Sequence, residues 1–225
     1  MKVIIIGVSG MVGQGVLREC LAEPEVTEVL AVVRSATGLG HPKFREIVNP
    51  DFLRTEALEP RLAGFDACFF CLGASAAGLN ETDYAAINHA LPVAYAATLA
   101  RVNPGMTFIY VSGAGTDSSE RGRKMWARVK GRTENDLLRL DLNAVMFRPG
   151  LIRPMHGEVS RTRIYRIGII VLKPLFPMLR RLFPSAVLTT EIMGRAMLHV
   201  ARLGSPKRVL EARDISEMAE SQDRG

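Results

Sequence analysis

The chain has 225 residues, is 48% hydrophobic and 23% charged, and carries a formal net charge of +6. This is the composition of an ordinary globular protein with one sizeable core and room for an appended lobe. Its three cysteines exclude a disulfide framework. The charge is unevenly placed: between Arg121 and Arg181 lie 15 Lys or Arg and four acids, so that stretch holds +11 and the remainder −5. A basic field suits a phosphorylated cofactor, an anionic substrate or a membrane surface, and a solvated helix face is the plainer reading for most of these residues. No motif that reads nucleic acid accompanies the charge, so nucleic acid is not an expected partner.

Lys2 to Ile6 is a β-branched apolar run of the kind a buried parallel strand uses. Gly7, Gly10 and Gly13 follow it at a Gly-x-x-Gly-x-x-Gly spacing, and Met11 to Ala22 reads at helical period. In this strand–turn–helix context the glycines allow a tight turn, close approach of backbone to a pyrophosphate, and close packing of the helix. The helix N-terminus then offers free N–H groups to phosphate oxygens. The alternative is a structural turn that binds nothing.

Thr27 to Arg34 is the second strand, ending in Arg34 and Ser35 rather than in an acid. About twenty residues past such glycines an acid grips the ribose of NAD, whereas a basic residue suits the 2′-phosphate of NADP. NADP(H) is therefore the expected preference, with NAD(H) possible and a solvated strand end as the alternative for Arg34. Phe44 to Val48 is a third strand. Asp51 and Phe52 either border an adenine, or Asp51 caps a helix running through Leu62. Phe65 to Leu72 is a central strand that runs into the small residues Gly73, Ala74 and Ser75. It carries Cys68-Phe69-Phe70-Cys71, whose cysteines point to opposite faces of a strand and so are not expected to share a metal.

Glu81 to Val102 reads as one long helix containing Asn88 and His89, ended by Asn103-Pro104-Gly105. Met106 to Val111 is the fifth strand, Ser119 to Leu140 the next helix, and Ala144 to Arg148 the sixth strand before Pro149-Gly150. Arg161 to Phe183 is apolar with interspersed basic residues and is interrupted by Pro174 and Pro177. It reads as part of a lid or substrate lobe (153–188), or as an interfacial segment (161–183) in peripheral contact with a membrane. Thr189 to Leu203 is an amphipathic helix and Lys207 to Ala212 a last strand, with a polar, frayed tail expected from Glu217. The whole is expected to be one α/β domain over 1–225: a doubly wound, mostly parallel sheet of about seven strands with helices on both faces and a small C-terminal substrate lobe. The N-terminal apolar run is a strand rather than a signal peptide, which points to a cytoplasmic protein.

With these residues placed, the chain resembles the atypical short-chain dehydrogenase/reductase superfamily, and within it the branch related to the Tat-interacting oxidoreductase-like proteins. The resemblance rests on Gly7/Gly10/Gly13, Cys71-Leu72-Gly73, Asn88, Val111-Ser112, Val129-Lys130-Gly131, Arg148-Pro149-Gly150 and Leu210-Glu211-Ala212-Arg213-Asp214-Ile215. It implies a nicotinamide dinucleotide along the carboxyl edge of the sheet. The first turn would contact it through Gly7, Ser9, Gly10, Met11, Val12 and Gly13. Arg34, Ser35, Asp51 and Phe52 would line its adenosine end. Cys71, Leu72, Gly73, Ala74 and Asn88 would line its middle, and Lys130 with Pro149, Gly150, Leu151 and Ile152 its nicotinamide end. The family's catalytic motif is Tyr-x-x-x-Lys. Here Lys130 matches the lysine, but Trp126 stands where the tyrosine would be. An indole N–H donates a hydrogen bond and has no practical acidity. Ser112 remains to polarise an oxygen, Tyr84 and Tyr110 lie elsewhere in the sequence, and His156 is the candidate substitute acid. Two functions follow from the resemblance. One is an NADP(H)-dependent oxidoreductase acting on a small carbonyl, quinone or flavin-like acceptor. The other is a non-catalytic NADP(H)-binding protein that docks on a partner or membrane.

Overall fold

In the computed structural model, residues 1–158 and 187–221 are described. β1 (Lys2–Ile6) leads into α1 (Met11–Ala22), β2 (Glu28–Val33), β3 (Phe44–Val48), a 3-10 turn (Glu56–Leu58), α2 (Glu59–Leu62) and β4 (Ala67–Phe70). Then come α3 (Glu81–Ala85), a π-helical turn (Ala86–Ala90), α4 (Leu91–Val102), β5 (Thr107–Val111), α5 (Met125–Leu137) and β6 (Asn143–Arg148). β7 (Leu151–Arg153), β8 (Val187–Thr189), α6 (Thr190–Leu203), β9 (Val209–Glu211) and α7 (Ala212–Ser221) follow.

Among the described residues a seven-stranded sheet has the order β3-β2-β1-β4-β5-β6-β9, every adjacent pair parallel. Its strands are apolar throughout because both faces are covered. Side chains alternate along β1: Val3 and Ile5 enter the core under α1, α6 and α7, while Ile4 and Ile6 enter the core under α2, α4 and α5. The same alternation separates the cysteines of β4. Cys68 lies in the second core and Cys71 packs against the first. The strand order reverses direction between β1 and β4, and the crevice at such a switch point is where open α/β sheets take ligands.

Several boundaries differ from the sequence expectation. Asp51 caps no helix; it accepts from the Leu53 N–H at 3.3 Å in a turn, and helix begins only at Glu56. The long helix is interrupted by the π-helical turn, since Pro92 lacks the N–H that would bond the Asn88 carbonyl one turn earlier. α5 starts at Met125 rather than Ser119, because the Asp117 carboxylate takes the N–H of Ser119 (3.0 Å) and of Gly122 (2.6 Å) and holds that segment as a loop. The tail is helical to Ser221, with Ile215 and Ala219 buried. β7 and β8 form a separate two-stranded parallel sheet that the sequence reading did not expect. Of the expected lobe, Arg153–Glu158 and Val187–Leu188 are described, and the 161–183 segment lies outside the described residues.

Candidate dinucleotide site

The three glycines do three different things. Gly7 has φ +98°, and a Cβ there would come within 2.6 Å of the Leu72 backbone nitrogen. A Cβ on Gly13 would come within 2.1 Å of the Gly7 carbonyl oxygen, so this glycine lets α1 sit directly on the turn. A Cβ on Gly10 would meet protein only at 3.4 Å, again the Gly7 oxygen. Gly10 is thus open toward the crevice rather than required by packing. It is the N-cap of α1, with no side-chain cap and no acid in the first turn. The first helical bond runs from the Gln14 N–H to the Gly10 carbonyl at 2.8 Å, which leaves the N–H groups of Met11, Val12 and Gly13 upstream of the helical ladder. Gln14 also donates from Nε2 to the Ser9 carbonyl at 3.1 Å and fixes the loop.

A cleft of about 720 Å³ opens over this turn. Gly7, Ser9 and Gly10 form its floor, Arg34, Ser35 and Phe52 one end, and Cys71, Leu72, Gly73 and Ala74 the opposite wall. Arg34 and Ser35 are exposed at the mouth. The nearby Glu46 carboxylate is engaged by Thr37, which donates from its N–H (3.1 Å) and its hydroxyl (2.7 Å). Asp51 is exposed, pairs with Arg54 at 3.4 Å, and does not line the cleft. Met11, Val12 and Gly13 also stand outside its lining: Met11 and Gly13 are buried in α1. Gln14, Leu17, Thr37, Ile87 and Leu91 line it without having been expected. The helical period of α1 offered Leu17 as a packing residue, and no local signal marked the others.

Asn88 is buried and shapes the wall from behind. Its Oδ1 accepts from the Ala74 N–H at 3.2 Å, and its Nδ2 donates to the Tyr84 carbonyl at 3.2 Å and the Ala74 carbonyl at 3.4 Å. The Asn88 carbonyl, freed by Pro92, accepts from the Tyr110 hydroxyl at 3.0 Å and the Thr133 hydroxyl at 2.9 Å. Tyr110 is fully buried, which pushes its phenol well above the usual range. In sequence Tyr110 stands apart from the lysine; in space its hydroxyl is 3.4 Å from Lys130 Nζ.

Lys130 projects from α5 and donates to the Val111 carbonyl at 3.1 Å, with its Nζ 5.0 Å from the centroid of the Tyr110 ring. It also lies 3.8 Å from where a Cβ on Gly73 would stand, beside the cleft wall. Burial lowers its pKa to about 8, against the pull of the Glu134 charge. Trp126, half-buried one turn earlier, faces the Gly115 loop: its ring edge is 3.6 Å from the position of a Gly115 Cβ. Gly131 follows Lys130 because any Cβ there would strike the Asp117 carbonyl.

Ser112, at the carboxyl end of β5, bonds to a carboxylate that the sequence reading did not single out. Its Oγ is 2.5 Å from Glu134 Oε1 and 3.1 Å from the Phe147 carbonyl. Glu134 is 1% exposed and ion-paired with Arg148, whose Nη2 reaches Oε2 at 2.5 Å and whose Nε reaches Oε1 at 3.1 Å. Arg148 further donates to Ser118 Oγ at 2.6 Å and to Glu211 at 3.3 Å. The available signal was the spacing: an acid four residues after Lys130 shares its helix face.

Beyond β6, Pro149 is buried and its carbonyl accepts from the Ala114 N–H at 2.9 Å, while Gly150, Leu151 and Ile152 lead into β7. His156 has an exposed side chain and is held through its backbone N–H by Glu158 at 2.8 Å. Glu158 also accepts from Arg18 of α1 at 2.5 Å and from the Thr190 hydroxyl at 3.2 Å. The structure therefore gathers the glycine turn, Arg34, Ser35, Phe52 and the β4 end around one cleft, with Asn88 and Lys130 packed beside its wall. Asp51 stands outside it, and His156 lies on the loop after β7.

A doubly wound sheet with a bare glycine turn at its switch point defines a Rossmann-type dinucleotide-binding protein, and the open Gly10 edge and long cleft fit such a ligand. The chain belongs to the NAD(P)H-binding family, whose model matches residues 7–164. It is 32% identical over 170 residues to the protein fmp52-1, mitochondrial, of Aspergillus oryzae, covering 69% of this chain and 70% of that protein. The fmp52-1 protein of Aspergillus terreus is 31% identical over 165 residues, covering 70% and 69%. Among solved structures, the Bordetella bronchiseptica enzyme WbmF in complex with NAD+ matches with TM-score 0.68 at 15% identity, over 99% of this chain and 77% of that one. MoeE5 in complex with UDP-glucuronic acid and NAD matches with TM-score 0.69 at 16% identity, over 94% and 76%. At these identities the likeness is one of fold. Among the described residues no helix is long and apolar enough to cross a membrane.

Proposed function

We propose that the protein is an NADP(H)-preferring oxidoreductase that exchanges hydride with a small carbonyl, quinone or flavin-like compound without the usual catalytic tyrosine. The observation behind this reading is the continuity of the cleft. Bare backbone and a helix N-terminus lie at its centre, Arg34 and Ser35 at one end, and the buried ammonium of Lys130 behind Gly73. A bound nicotinamide dinucleotide supplies the hydride chemistry. The chain's own residues bind and orient. The first turn of α1 receives the pyrophosphate, Arg34 meets a 2′-phosphate, and Lys130, still mostly charged at neutral pH, donates to ribose hydroxyls. Acceptors that need no dedicated proton donor are favoured, because Trp126 has no acidic proton to give and the Tyr110 phenol is sealed in the core. The expected lobe at 153–188 would serve as the lid.

The test begins with NADPH and NADH titrations of wild type and Arg34→Ala. NADPH is expected to bind at least about tenfold more tightly, and the substitution to erase the difference. Equal affinities would remove the NADP preference. Turnover is then measured with a panel of quinones, flavins and aldehydes, and again in Trp126→Tyr, which is expected to gain carbonyl reduction. Trp126 also favours a second reading, a non-catalytic NADP(H)-binding protein that docks a partner or membrane through 161–183. Tight binding with no turnover of any acceptor by either variant would favour it. The reducing compartment expected from the sequence is the cytoplasm, whereas the fungal relatives are named mitochondrial. Cell fractionation separates the two.

A further inference from the structure

A cation and an anion stand near each other at the mouth of the cleft, and neither is in an ion pair among the described residues. They are Arg34, exposed just after β2, and Glu46 of β3. Glu46 lies opposite Ala31 in the β2–β3 register, three residues before Arg34. That is a rise of about 10 Å, which two long side chains span between them. Arg45, next to Glu46 in sequence, pairs instead with Glu28 at 3.7 Å.

Thr37 keeps the two apart. Its N–H lies 3.3 Å from Glu46 Oε1 and 3.1 Å from Oε2, and its hydroxyl donates to Oε2 at 2.7 Å. The hydroxyl oxygen accepts in turn from the Leu39 N–H at 3.3 Å, which leaves its one proton to the carboxylate. Thr37 lines the cleft together with Arg34 and Ser35, and Glu46 does not. The loop that leaves β2 thus folds back over β3, ties down the nearest carboxylate, and leaves the guanidinium at the cleft without a counter-charge.

We infer that Thr37 is a specificity-determining residue for the nucleotide: by holding Glu46 it keeps Arg34 available to a 2′-phosphate. It is a positioning residue that acts through Arg34. A released Glu46 would neutralise Arg34 and repel a phosphate, and would serve as an acceptor for the unmodified ribose hydroxyl of NAD(H). The inference rests on the NADP(H) preference proposed above and deepens it, since the size of that preference is set by Thr37 and Glu46 as well as by Arg34.

The experiment is fluorescence titration of the full chain with NADPH and with NADH, read as the ratio of the two affinities. Wild type is expected to favour NADPH at least about tenfold. Thr37→Val loses the hydroxyl and is expected to lower the ratio about fivefold, by weakening NADPH alone. Thr37→Ser keeps the hydroxyl and is expected to retain the wild-type ratio. Adding Glu46→Gln to Thr37→Val is expected to restore it, because no charge is left to release. A merely structural Thr37 would weaken both nucleotides together and would not be rescued at Glu46. In the Arg34→Ala background Thr37→Val is expected to change the ratio by less than about twofold. A wild-type ratio of one, or failure of both nucleotides to bind, would sink the NADP(H) reading and this inference with it. A wild-type preference that survives Thr37→Val, or a loss that Glu46→Gln does not repair, would overturn the inference alone.

Discussion

The glycine turn and the polar cluster beside the crevice are built from opposite materials. The turn is backbone with its side chains removed, and Gly10 meets almost nothing of the protein itself. The cluster is a dense set of buried polar groups: Ser112, Glu134 and Arg148 on one side, Lys130, Tyr110 and Asn88 on the other. Within the turn, packing requires Gly7 and Gly13 but not Gly10. The cluster is held by partners drawn from β5, α5, β6 and the π-helical turn, so its geometry and the stability of the fold are one problem.

That contrast makes the polar cluster the fragile region. Arg148→Met leaves the Glu134 carboxylate buried beside Ser112 without its cation, and is expected to lower unfolding free energy in urea by about 3–5 kcal/mol. Lys130 comes next. Its pKa falls from 10.5 in the unfolded chain to about 8 in the fold. The unfolded state therefore binds more protons between those values. Stability rises as pH increases from about 8 to 10.5, by roughly 3 kcal/mol at most, and Lys130→Met flattens that slope in pH-dependent thermal melts. Tyr110→Phe removes one of two hydroxyls on the Asn88 carbonyl and is expected to cost about 1 kcal/mol. The smallest effect on stability belongs to the glycine turn, at Gly10. Gly10→Ala is expected to shift unfolding by less than about 0.5 kcal/mol yet weaken NADPH binding at least about tenfold in a fluorescence titration. If Gly10→Ala proved as destabilising as Arg148→Met, the division between the two regions would collapse.

The same division explains what could be read in the sequence. Parallel strands buried on both faces appear as continuous β-branched runs, so the seven-stranded sheet and the glycine turn were legible from the residues in order. Boundaries failed where a side chain competes for backbone bonds, as Asp117 does before α5. The π-helical turn was hidden in an Ala-rich helical pattern whose one clue was Pro92. Glu134 had a signal in its spacing from Lys130, but its burial depends on Arg148 on another element, and a charge in a basic helix ordinarily reads as surface. β7 and β8 are three residues each, too short for periodicity to show.

Their pairing has a consequence for how this scaffold changes over time. Leu151 to Arg153 lie beside Val187 to Thr189, and Glu158 is bonded both to Thr190 and to Arg18. The chain thus departs from the sheet and returns to it through a single socket, anchored on the helix that begins at the glycine turn. Whatever length of chain is spliced between those strands, its two ends are delivered to the same place, and the crevice keeps its walls.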